Sequence, residues 1–334
     1  MRFLVTGVAG FIGSRIAGAL LSDGHEVIGL DNLNAYYDPA LKQARLHELQ
    51  TYENFSFRKL DISDHEKLLG LPERDSIDRV IHLAAQAGVR YSLENPFAYA
   101  QSNLTGHLAM LEFCRRAAKV PMLVYASSSS VYGDDAIAPF REDANVDRPV
   151  SLYAATKRAD ELMSQAYAKL YDIPQIGVRF FTVYGPWGRP DMAYWSFTDR
   201  ILRGETIRVF NGGKMKRDFT FIADAVAGLK AIATRPAVFV EGQRAHKLYN
   251  IGHNQPVELL KFIETIEEVT GKKARMALEP MQPGDVTETC ADISRMQANY
   301  GYEPKVSLKE GLQQFADWFR TQRVAAGPAI RQGL

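Results

Sequence analysis

The stretch Gly7-Val-Ala-Gly10-Phe-Ile-Gly13 decides the fold, because it follows a short apolar segment and opens a helical pattern. Glycine at Gly7, Gly10 and Gly13 permits a tight turn, a close approach of the backbone to a pyrophosphate, and close packing of the helix on the strand. The first helical residues, Phe11 and Ile12, would offer N–H groups and partial positive charge to the phosphates. The spacing is GxxGxxG, which differs by one residue from the usual GxGxxG fingerprint. The stretch predicts a strand–loop–helix unit that binds a dinucleotide, with a ligand-free glycine turn as the alternative.

Asp31 stands 18 residues after Gly13, at the end of the second apolar segment. A carboxylate at this position binds the ribose diol of a dinucleotide. Because a carboxylate also repels a 2′-phosphate, Asp31 favours NAD over NADP. The strand, the glycines, the helix and the acid follow one another in the order of a dinucleotide-binding unit, and together they predict an NAD site.

Short apolar segments alternate with helical patterns through the first 180 residues. The strand candidates are residues 2–6, 26–30, 56–60, 79–83, 122–126 and 175–179, and the clearest helices are residues 11–22, 98–118 and 153–171. The strands are continuously apolar, which indicates a parallel sheet that is covered on both faces. We therefore expect an α/β fold in which residues 1–180 form a doubly wound parallel sheet, with ligands at the carboxyl ends of its strands.

The pattern changes after residue 180, beginning with a loop rich in turn formers over residues 185–190. Helices are predicted over residues 194–203, 223–234, 259–270 and 308–320, and strands over 207–210 and 248–251. We expect residues 181–324 to form a smaller C-terminal α/β lobe that binds the substrate, with some elements returning to the first domain. Residues 325–334 are expected to be a loose tail.

The composition excludes several classes of function. A net charge of +1 provides no field that would attract nucleic acid or an acidic membrane. No apolar run is long enough to span a membrane, and the first five residues read as a strand rather than a signal peptide. Cys114 and Cys290 are too few for a disulfide framework and are expected to be buried reduced thiols. We therefore expect a cytoplasmic protein without a metal site.

Tyr153 and Lys157 stand four residues apart in a helical stretch, so they share one face of the helix. An unperturbed phenol has a pKa of about 10, which is too high for a base at neutral pH. A neighbouring ammonium favours the phenolate. The pair could therefore take a proton from a hydroxyl, although such a match is only a hypothesis until an electron acceptor and a substrate pocket surround it.

Two other stretches carry polar groups. A serine run, Ser127 to Ser130, follows a strand at the ligand edge, where its hydroxyls could orient a sugar or a carboxylate; a simple polar turn is the alternative. The basic stretch Lys214-Met-Lys-Arg217 could bind a diphosphate through Arg217, and a solvated basic loop is equally compatible with it.

Taken together, these residues resemble the extended short-chain dehydrogenase/reductase family, and within it the NAD-dependent nucleotide-sugar epimerases and dehydratases. The resemblance covers nearly the whole chain. It is carried by the glycine loop, Asp61-Ile62, His82-Leu-Ala-Ala85, Asn103, the serine run, Tyr153 with Lys157, Arg217-Asp-Phe219 and Pro283-Gly-Asp285. Further stretches are similar to UDP-glucuronate 4-epimerases in particular: Asp31-Asn-Leu-Asn34 with Tyr36-Tyr-Asp38, Ala87-Gly-Val-Arg-Tyr-Ser92, and Phe181-Thr-Val-Tyr-Gly-Pro-Trp-Gly-Arg-Pro-Asp-Met192.

The resemblance implies a Rossmann-like domain and a role for each matching residue. The cofactor would contact Gly7, Gly10, Phe11, Ile12, Gly13, Asp31, Asn32, Asp61, Ile62, Leu83, Ala84, Ala85, Asn103, Tyr153 and Lys157. Tyr153 and Lys157 would be catalytic, with Ser128 as the hydroxyl partner of the tyrosine. The substrate would contact Arg90, Ser128, Ser129, Ser130, Thr182, Arg189, Arg217 and Asp285. Of these, Ser129, Ser130, Thr182 and Arg189 would surround a sugar carboxylate, and Arg217 and Asp285 would bind the nucleotide.

The resemblance also implies a reaction that begins with removal of a proton from the C4 hydroxyl by Tyr153 and transfer of hydride to NAD. Dehydratases need a separate acid and base, and relatives place Asp-Glu where Ser129 and Ser130 stand here, so dehydration is disfavoured. Decarboxylating relatives usually keep a glutamate at the position of Ser130. Epimerisation of UDP-glucuronate to UDP-galacturonate is the favoured reaction, with NAD tightly bound and regenerated in each turnover.

Other functions stay open at this point: a UDP-glucuronate decarboxylase, a neutral UDP-hexose 4-epimerase, or an NAD-binding sensor without catalysis. The intact set of Ser128, Tyr153 and Lys157 argues against a sensor, because a sensor needs no general base. By resemblance to dimeric relatives, the helices at residues 98–118 and 153–171 are expected to pair two copies into a homodimer.

Overall fold

A seven-stranded parallel sheet forms the centre of the molecule. The computed structural model describes residues 1–239, 245–282 and 284–325. The strands are β1 (Arg2–Thr6), β2 (Glu26–Asp31), β3 (Phe55–Lys59), β4 (Arg79–His82), β5 (Met122–Ser128), β6 (Gln175–Phe180), β7 (Thr182–Tyr184), β8 (Thr206–Phe210), β9 (Lys216–Phe221), β10 (His246–Ile251), β11 (Pro256–Glu258) and β12 (Arg275–Glu279). The strand order of the central sheet is β10-β6-β5-β4-β1-β2-β3.

Helices cover both faces of this sheet. They are α1 (Phe11–Ser22), α2 (Pro39–Leu49), α3 (His65–Leu69), α4 (Tyr91–Glu94), α5 (Pro96–Tyr99), α6 (Gly106–Arg116), α7 (Leu152–Tyr171), α8 (Ala193–Arg203), α9 (Ile222–Thr234), α10 (Leu259–Thr270), α11 (Ser294–Tyr300) and α12 (Leu308–Ala325). A π-helical segment, Ala100–Thr105, connects α5 to α6, and a 3₁₀ turn, Ser129–Tyr132, follows β5. None of the described helices is long and apolar enough to cross a membrane.

The core is divided into two layers by the sheet. Along β1, Phe3 and Val5 belong to one buried cluster and Leu4 to the other, because successive side chains of a strand point to opposite faces. Strands that are buried on both sides are continuously apolar, which is the pattern that predicted a doubly wound parallel sheet. The predicted fold class is confirmed.

Strand order reverses between β1 and β4, because the chain leaves β1 towards β2 and β3 and then returns to pair β4 with the other side of β1. Ligands of open parallel sheets bind at the carboxyl ends of the strands beside such a reversal. The glycine loop follows β1 and Leu83 follows β4, so both predicted cofactor segments lie at this point.

Several predicted bounds need correction. The strand expected at residues 56–60 lies at Phe55–Lys59, and β5 continues to Ser128, two residues beyond its predicted end. The helix α2 was not predicted, because its sequence carries little apolar periodicity: two of its four buried residues are the charged Lys42 and Arg45. The helix α12 extends to Ala325, so the predicted tail begins at least one residue later; residues 326–334 lie outside the described residues.

The second half of the chain contributes strands to the central sheet and to two smaller sheets. Strand β10 pairs with β6 at the edge of the central sheet. The other strands of this half form a three-stranded sheet, β11-β9-β7, and a two-stranded sheet, β12-β8. Since β7 follows β6 after one residue, the three-stranded sheet begins beside the carboxyl edge of the central sheet.

Candidate active site

The glycine loop lies directly against the segment after β4. Gly7 has φ of +68°, and a Cβ added there would lie 2.8 Å from the Ala84 nitrogen, so a side chain cannot be accommodated. A Cβ added at Gly13 would collide with the Gly7 carbonyl oxygen. No described side chain caps α1 at Gly10, which leaves first-turn N–H groups for a ligand. This cradle of bare backbone at a helix N-terminus fits a pyrophosphate.

The predicted ribose and adenine residues meet at the ends of β2 and β3. The Asp31 carboxylate is buried and accepts hydrogen bonds from the Ala9 nitrogen at 3.1 Å and the Leu33 nitrogen at 2.8 Å. Asn32 donates to Asp61 at 2.8 Å, which ties the two predicted cofactor segments together. Each carboxylate keeps lone pairs for a ligand, so the geometry fits the diol that Asp31 is predicted to bind.

The remaining predicted cofactor residues lie after β4 and around the start of α6. Leu83, Ala84 and Ala85 follow β4, and the Ala84 nitrogen donates to Thr6 Oγ1 at 3.1 Å. Ile62 is buried beside Gly106 at the start of α6. Asn103 connects the segment after β4 to α7: its amide donates to Gln86 O and Thr156 Oγ1 and accepts from the Gln86 nitrogen. These bonds leave Asn103 little capacity for direct contact, and its cofactor role stays a prediction.

The Tyr153–Lys157 pair lies in the first turns of α7. The helix begins after Ser151, whose hydroxyl accepts a hydrogen bond from the Ala154 nitrogen at 3.1 Å and fixes the helix start. Tyr153 is half-buried, and its ring packs edge-on against Tyr99 with 6.1 Å between ring centres. The ammonium of Lys157 is buried and donates to Asp160 Oδ2 at 2.8 Å.

Buried charges around Lys157 keep this ammonium protonated. Burial alone lowers the pKa of Lys157, but the carboxylate of Asp160 and the ionised form of Tyr153 outweigh it, and the net pKa is raised. Burial raises the pKa of Asp160 to about 6 against the opposing charge of Lys157. A lysine that stays charged beside a phenol stabilises the phenolate, which is the form that can accept a proton.

The serine run bends at the end of β5. Ser128 accepts a hydrogen bond from the Ser130 nitrogen at 3.2 Å and caps the 3₁₀ turn. This position is compatible with a simple polar turn and also with the predicted contact between Ser128 and a ligand. Ser127 points to the other side of the strand and donates to the buried Glu161 at 2.6 Å. Ser129 and Ser130 are partly exposed at the ligand edge, as the prediction requires.

Arg189 is locked into an ion pair. Its guanidinium donates to Asp191 twice, and the Tyr36 hydroxyl donates to the same carboxylate at 3.1 Å. Burial alone raises the pKa of Asp191, but the charge of Arg189 outweighs it and the pKa is lowered. Thr182 begins β7, and its neighbour across the sheet is Phe219 on β9. Arg189 was predicted as a contact of the sugar carboxylate, and the structure shows that it also has a counter-ion.

Arg90, Arg217 and Asp285 are brought to one place. Arg90 donates to Asp285 at 3.4 Å, and Arg217 donates to the backbone carbonyl of Val286 at 2.6 Å. Burial lowers the pKa of Arg217, and the charge of Asp285 opposes this effect. Arg217 lies on β9 rather than in a loop, so the alternative of a solvated basic loop is wrong for this residue. Pro283, the first residue of the predicted motif, lies outside the described residues.

A buried arginine connects the two halves of the site. Arg45 of α2 donates to the backbone carbonyls of Ala9, Trp187 and Gly188 and to the Tyr37 hydroxyl. The glycine loop and the loop that carries Arg189 are therefore fixed relative to each other. Sequence reasoning missed Arg45, because it lies on the helix that was not predicted.

Two carboxylates of the site also received no predicted role, although a sequence signal existed for both. Asp160 follows Lys157 by three residues and so shares its helix face, and Asp191 follows Arg189 by two residues in the same loop. Opposite charges at these spacings are signals for ion pairs. The structure shows that both pairs form.

The glycine loop, Asp31 and the serine run all lie at the carboxyl ends of strands of the central sheet, after or at the ends of β1, β2 and β5. A backbone cradle with an acid, and hydroxyls at the same edge of the sheet, fit a protein that binds a dinucleotide and a polar substrate. The chain belongs to the NAD dependent epimerase/dehydratase family, which matches residues 3–252.

Individual relatives agree with this assignment. The chain is similar to the probable UDP-glucuronate 4-epimerase of Rhizobium meliloti (strain 1021), with 43% identity over 96% of this chain and 97% of that protein. It is 44% identical to UDP-glucuronate 4-epimerase 4 of Arabidopsis thaliana, over 95% of this chain and 74% of that protein. The crystal structure of the UDP-glucuronic acid 4-epimerase of Bacillus cereus with UDP-glucuronic acid and NAD superposes with a TM-score of 0.88, at 34% identity, covering 96% of this chain and 100% of that chain.

Proposed function

We propose that this protein is an NAD-dependent 4-epimerase that interconverts UDP-glucuronate and UDP-galacturonate through a transient 4-keto sugar. The observation that carries the proposal is the pair of hydroxyls, Ser129 and Ser130, in the turn beside Ser128. Elimination of water needs an acid and a base that titrate near neutral pH, and serine hydroxyls do not. With no acid or base at these positions, the 4-keto sugar is reduced again.

Tyr153 and Lys157 carry out the proton transfer. Tyr153, as a phenolate, accepts the proton of the C4 hydroxyl, and Lys157 stabilises the phenolate with its buried positive charge. Tyr153 returns the same proton to the C4 oxygen when the ketone is reduced on its other face, so the pair ends the cycle as it began it. Ser128 lies at the end of β5 and supplies a hydroxyl that can bind the C4 oxygen.

The cofactor would be held by the cradle at Gly7, Gly10 and Gly13 and by the acid Asp31. NAD bound there supplies an acceptor and donor for the hydride of the C4 carbon. Because the cofactor is regenerated in each turnover, catalysis does not require it to dissociate, and we expect it to remain bound through purification.

The substrate carboxylate would be held by neutral and cationic donors: Ser129, Ser130, Thr182 and Arg189. A 4-keto uronate loses CO₂ when its breaking C–C bond aligns with the ketone, so an epimerase must hold the carboxylate out of that alignment. Arg90, Arg217 and Asp285, which the structure brings together, would bind the nucleotide.

The purified protein, incubated with UDP-glucuronate and no added NAD, tests the proposal. The products are followed by NMR, and UDP-galacturonate is expected to accumulate towards a near-even mixture. UDP-xylose with release of CO₂ would identify a decarboxylase, a stable 4-keto product would identify an oxidase or dehydratase, and no change would support a sensor. The carboxylate contacts are wrong if Ser129→Ala and Arg189→Ala both leave epimerisation and CO₂ release unchanged.

We also propose a homodimer that pairs α6 and α7 with those of a second copy. Exposed apolar side chains on these helices and just before them support this: Phe97, Leu108, Leu162 and Leu170. A cytoplasmic location fits the two buried free thiols, Cys114 and Cys290. We keep the division into an NAD-binding part (residues 1–180) and a nucleotide-sugar-binding part (residues 181–324) as a proposal, with β10 returned to the first.

A further inference from the structure

Asp160 is a buried carboxylate with only half of its hydrogen-bonding capacity used. Its Oδ2 accepts from Lys157 Nζ at 2.8 Å, and the two side chains are 1% and 5% exposed. Its Oδ1 is buried and has no hydrogen-bond partner among the described residues. Burying a charge in this way costs free energy, and a buried ion pair is weak evidence for stability. A role in the reaction explains the arrangement better than a role in stability.

The other ionisable groups near this carboxylate are already engaged or neutral. On α7, Glu161 is bound by Arg179 and by Ser127. On α6, burial lowers the pKa of His107 to about 3, and on β4 burial lowers the pKa of His82 well below its ordinary value.

Tyr125 on β5 is the remaining group that interacts electrostatically with Asp160. Burial raises the pKa of Tyr125, which keeps this phenol neutral. Asp160 is therefore the anion that faces the Lys157 ammonium directly.

We propose that Asp160 is a positioning residue for the Tyr153–Lys157 pair: it holds the Lys157 ammonium on the helix face shared with Tyr153 and, as its counter-ion, sets the pH range in which the pair works. One of the three ammonium hydrogens is used by Asp160, which leaves two for the ligand and for Tyr153. The inference rests on the proposed function, because that function makes Tyr153 the base.

The sign of the effect follows from charge alone. Asp160→Asn removes a negative charge beside the Lys157 ammonium. The ammonium then loses its proton at lower pH, because the anion had stabilised its protonated form. The alkaline limb of the kcat–pH profile therefore moves to lower pH, by about one unit or more for a charge in direct contact.

The kcat values of wild type and Asp160→Asn should also become equal at low pH. Burial raises the pKa of Asp160 to about 6, so the wild-type carboxylate is itself neutral below that pH. The ratio of their kcat values therefore changes across pH 6. A purely structural role for Asp160 would lower kcat by the same factor at every pH.

The test is kcat and KM for UDP-glucuronate between pH 5 and pH 10, with the NAD-loaded wild type, Asp160→Asn and Asp147→Asn. Asp147→Asn is the matched control, since it removes the same charge from the exposed partner of Arg158, and its profile should overlay that of the wild type. An alkaline limb of Asp160→Asn that coincides with that of the wild type would overturn the inference. An inactive wild type would instead overturn the proposed function.

A second measurement decides the case if Asp160→Asn does not fold or the wild type is inactive. The ¹³C shift of the Asp160 carboxyl is followed by NMR during a pH titration of the wild type and of Lys157→Met. Loss of the ammonium should raise the pKa of Asp160 by about one unit or more. An unchanged titration would show that the two side chains do not act on each other, and the inference would be wrong.

Discussion

Arg189 and Asp191 form a two-bond ion pair, with 3.0 Å between Nε and Oδ1 and 2.6 Å between Nη2 and Oδ2. The two side chains are only 23% and 25% exposed, so solvent screens the pair weakly. The bonds use Nε and Nη2 of the guanidinium, which leaves Nη1 for a ligand. The positive charge that is proposed to hold the uronate is thus partly neutralised before the substrate arrives.

Arg189→Ala should weaken uronate binding in two ways: it removes a hydrogen-bond donor, and it leaves the Asp191 carboxylate unpaired beside the carboxylate of the substrate. We expect kcat/KM for UDP-glucuronate to fall by about 100-fold, since a hydrogen bond to a charged group contributes up to about 3 kcal/mol. The double variant Arg189→Ala/Asp191→Asn should recover about tenfold, because the repulsive charge is gone.

Steady-state kinetics of the two single variants and the double variant form a cycle that measures this coupling. UDP-glucose, whose sugar carries no carboxylate, is the control, and the second substitution should give no recovery with it. Losses that simply add in the double variant would show that Asp191 has no effect on the uronate.

Asp31→Asn should weaken the preference for NAD over NADP. The buried carboxylate is held in place by the Ala9 and Leu33 nitrogens, so its charge cannot turn away from a 2′-phosphate. Removing that charge should reduce the NAD/NADP affinity ratio by about tenfold or more, since like charges in contact cost several kcal/mol. Calorimetry on protein stripped of cofactor measures the ratio. Asp23→Asn, which changes an exposed carboxylate, should leave the ratio unchanged.

Much of the fold could be predicted because the local pattern and the tertiary environment agree. The predicted bounds of β1 and α1 match the structure. The continuously apolar strand, the glycine loop and the apolar helix face each indicate the same arrangement, a helix packed on a buried strand. On the predicted cofactor side, the structure agrees with the local geometry that the sequence indicates: Gly7 has a positive φ, and Asp31 is held by the Ala9 and Leu33 nitrogens.

The parts that could not be predicted depend on long-range partners. Arg45 looks like a surface residue in the sequence, and only the fold brings the carbonyls of Trp187 and Gly188 to it, 142 and 143 residues later. The sequence predicted Arg189 only as a contact of the sugar carboxylate, because pattern reasoning assigned ligand roles one residue at a time. The spacings of Lys157 with Asp160 and of Arg189 with Asp191 are compatible with ion pairs, and the distances in the structure show that both pairs form.

Gly13→Ala should remove the cofactor and destabilise the protein. The added methyl group would collide with the Gly7 carbonyl oxygen, so the loop and α1 would have to move apart. Gly18→Ala, on the same helix, is the matched control, because its nearest neighbour would be Leu49 at an ordinary 3.7 Å. We expect Gly18→Ala to raise stability by up to about 1 kcal/mol through helix propensity. Thermal melts measure the stability of both variants, and the nucleotide released on denaturation measures how much NAD each variant retains. A Gly13→Ala variant that retains NAD would contradict the proposed binding of the pyrophosphate by the glycine loop.

His107 should make the protein less stable in acid. Burial lowers its pKa to about 3 in the folded state, so between about pH 6.5 and pH 3 the unfolded chain binds a proton that the folded chain does not. This contribution to stability is fully present above the unfolded pKa and is lost as pH falls, at about 1.4 kcal/mol per pH unit. Denaturant unfolding from pH 7 to pH 4.5 should show a shallower decline for His107→Gln than for wild type. His47→Gln, at an exposed position of α2, is the control for the loss of an imidazole.

Leu162→Arg should convert the proposed dimer to a monomer. Leu162 and Leu170 are 48% and 66% exposed on one face of α7, and Leu108 of α6 is 41% exposed. An exposed apolar face of this kind is expected to be covered by a second copy, because a C₂ dimer buries the same face of both chains. An arginine at its centre would be buried without a partner charge. Analytical ultracentrifugation should show the wild type at twice the mass of the chain, and Leu278→Arg, on the exposed face of β12, should leave that mass unchanged. A monomeric wild type, or a dimer that survives Leu162→Arg, would place the interface elsewhere.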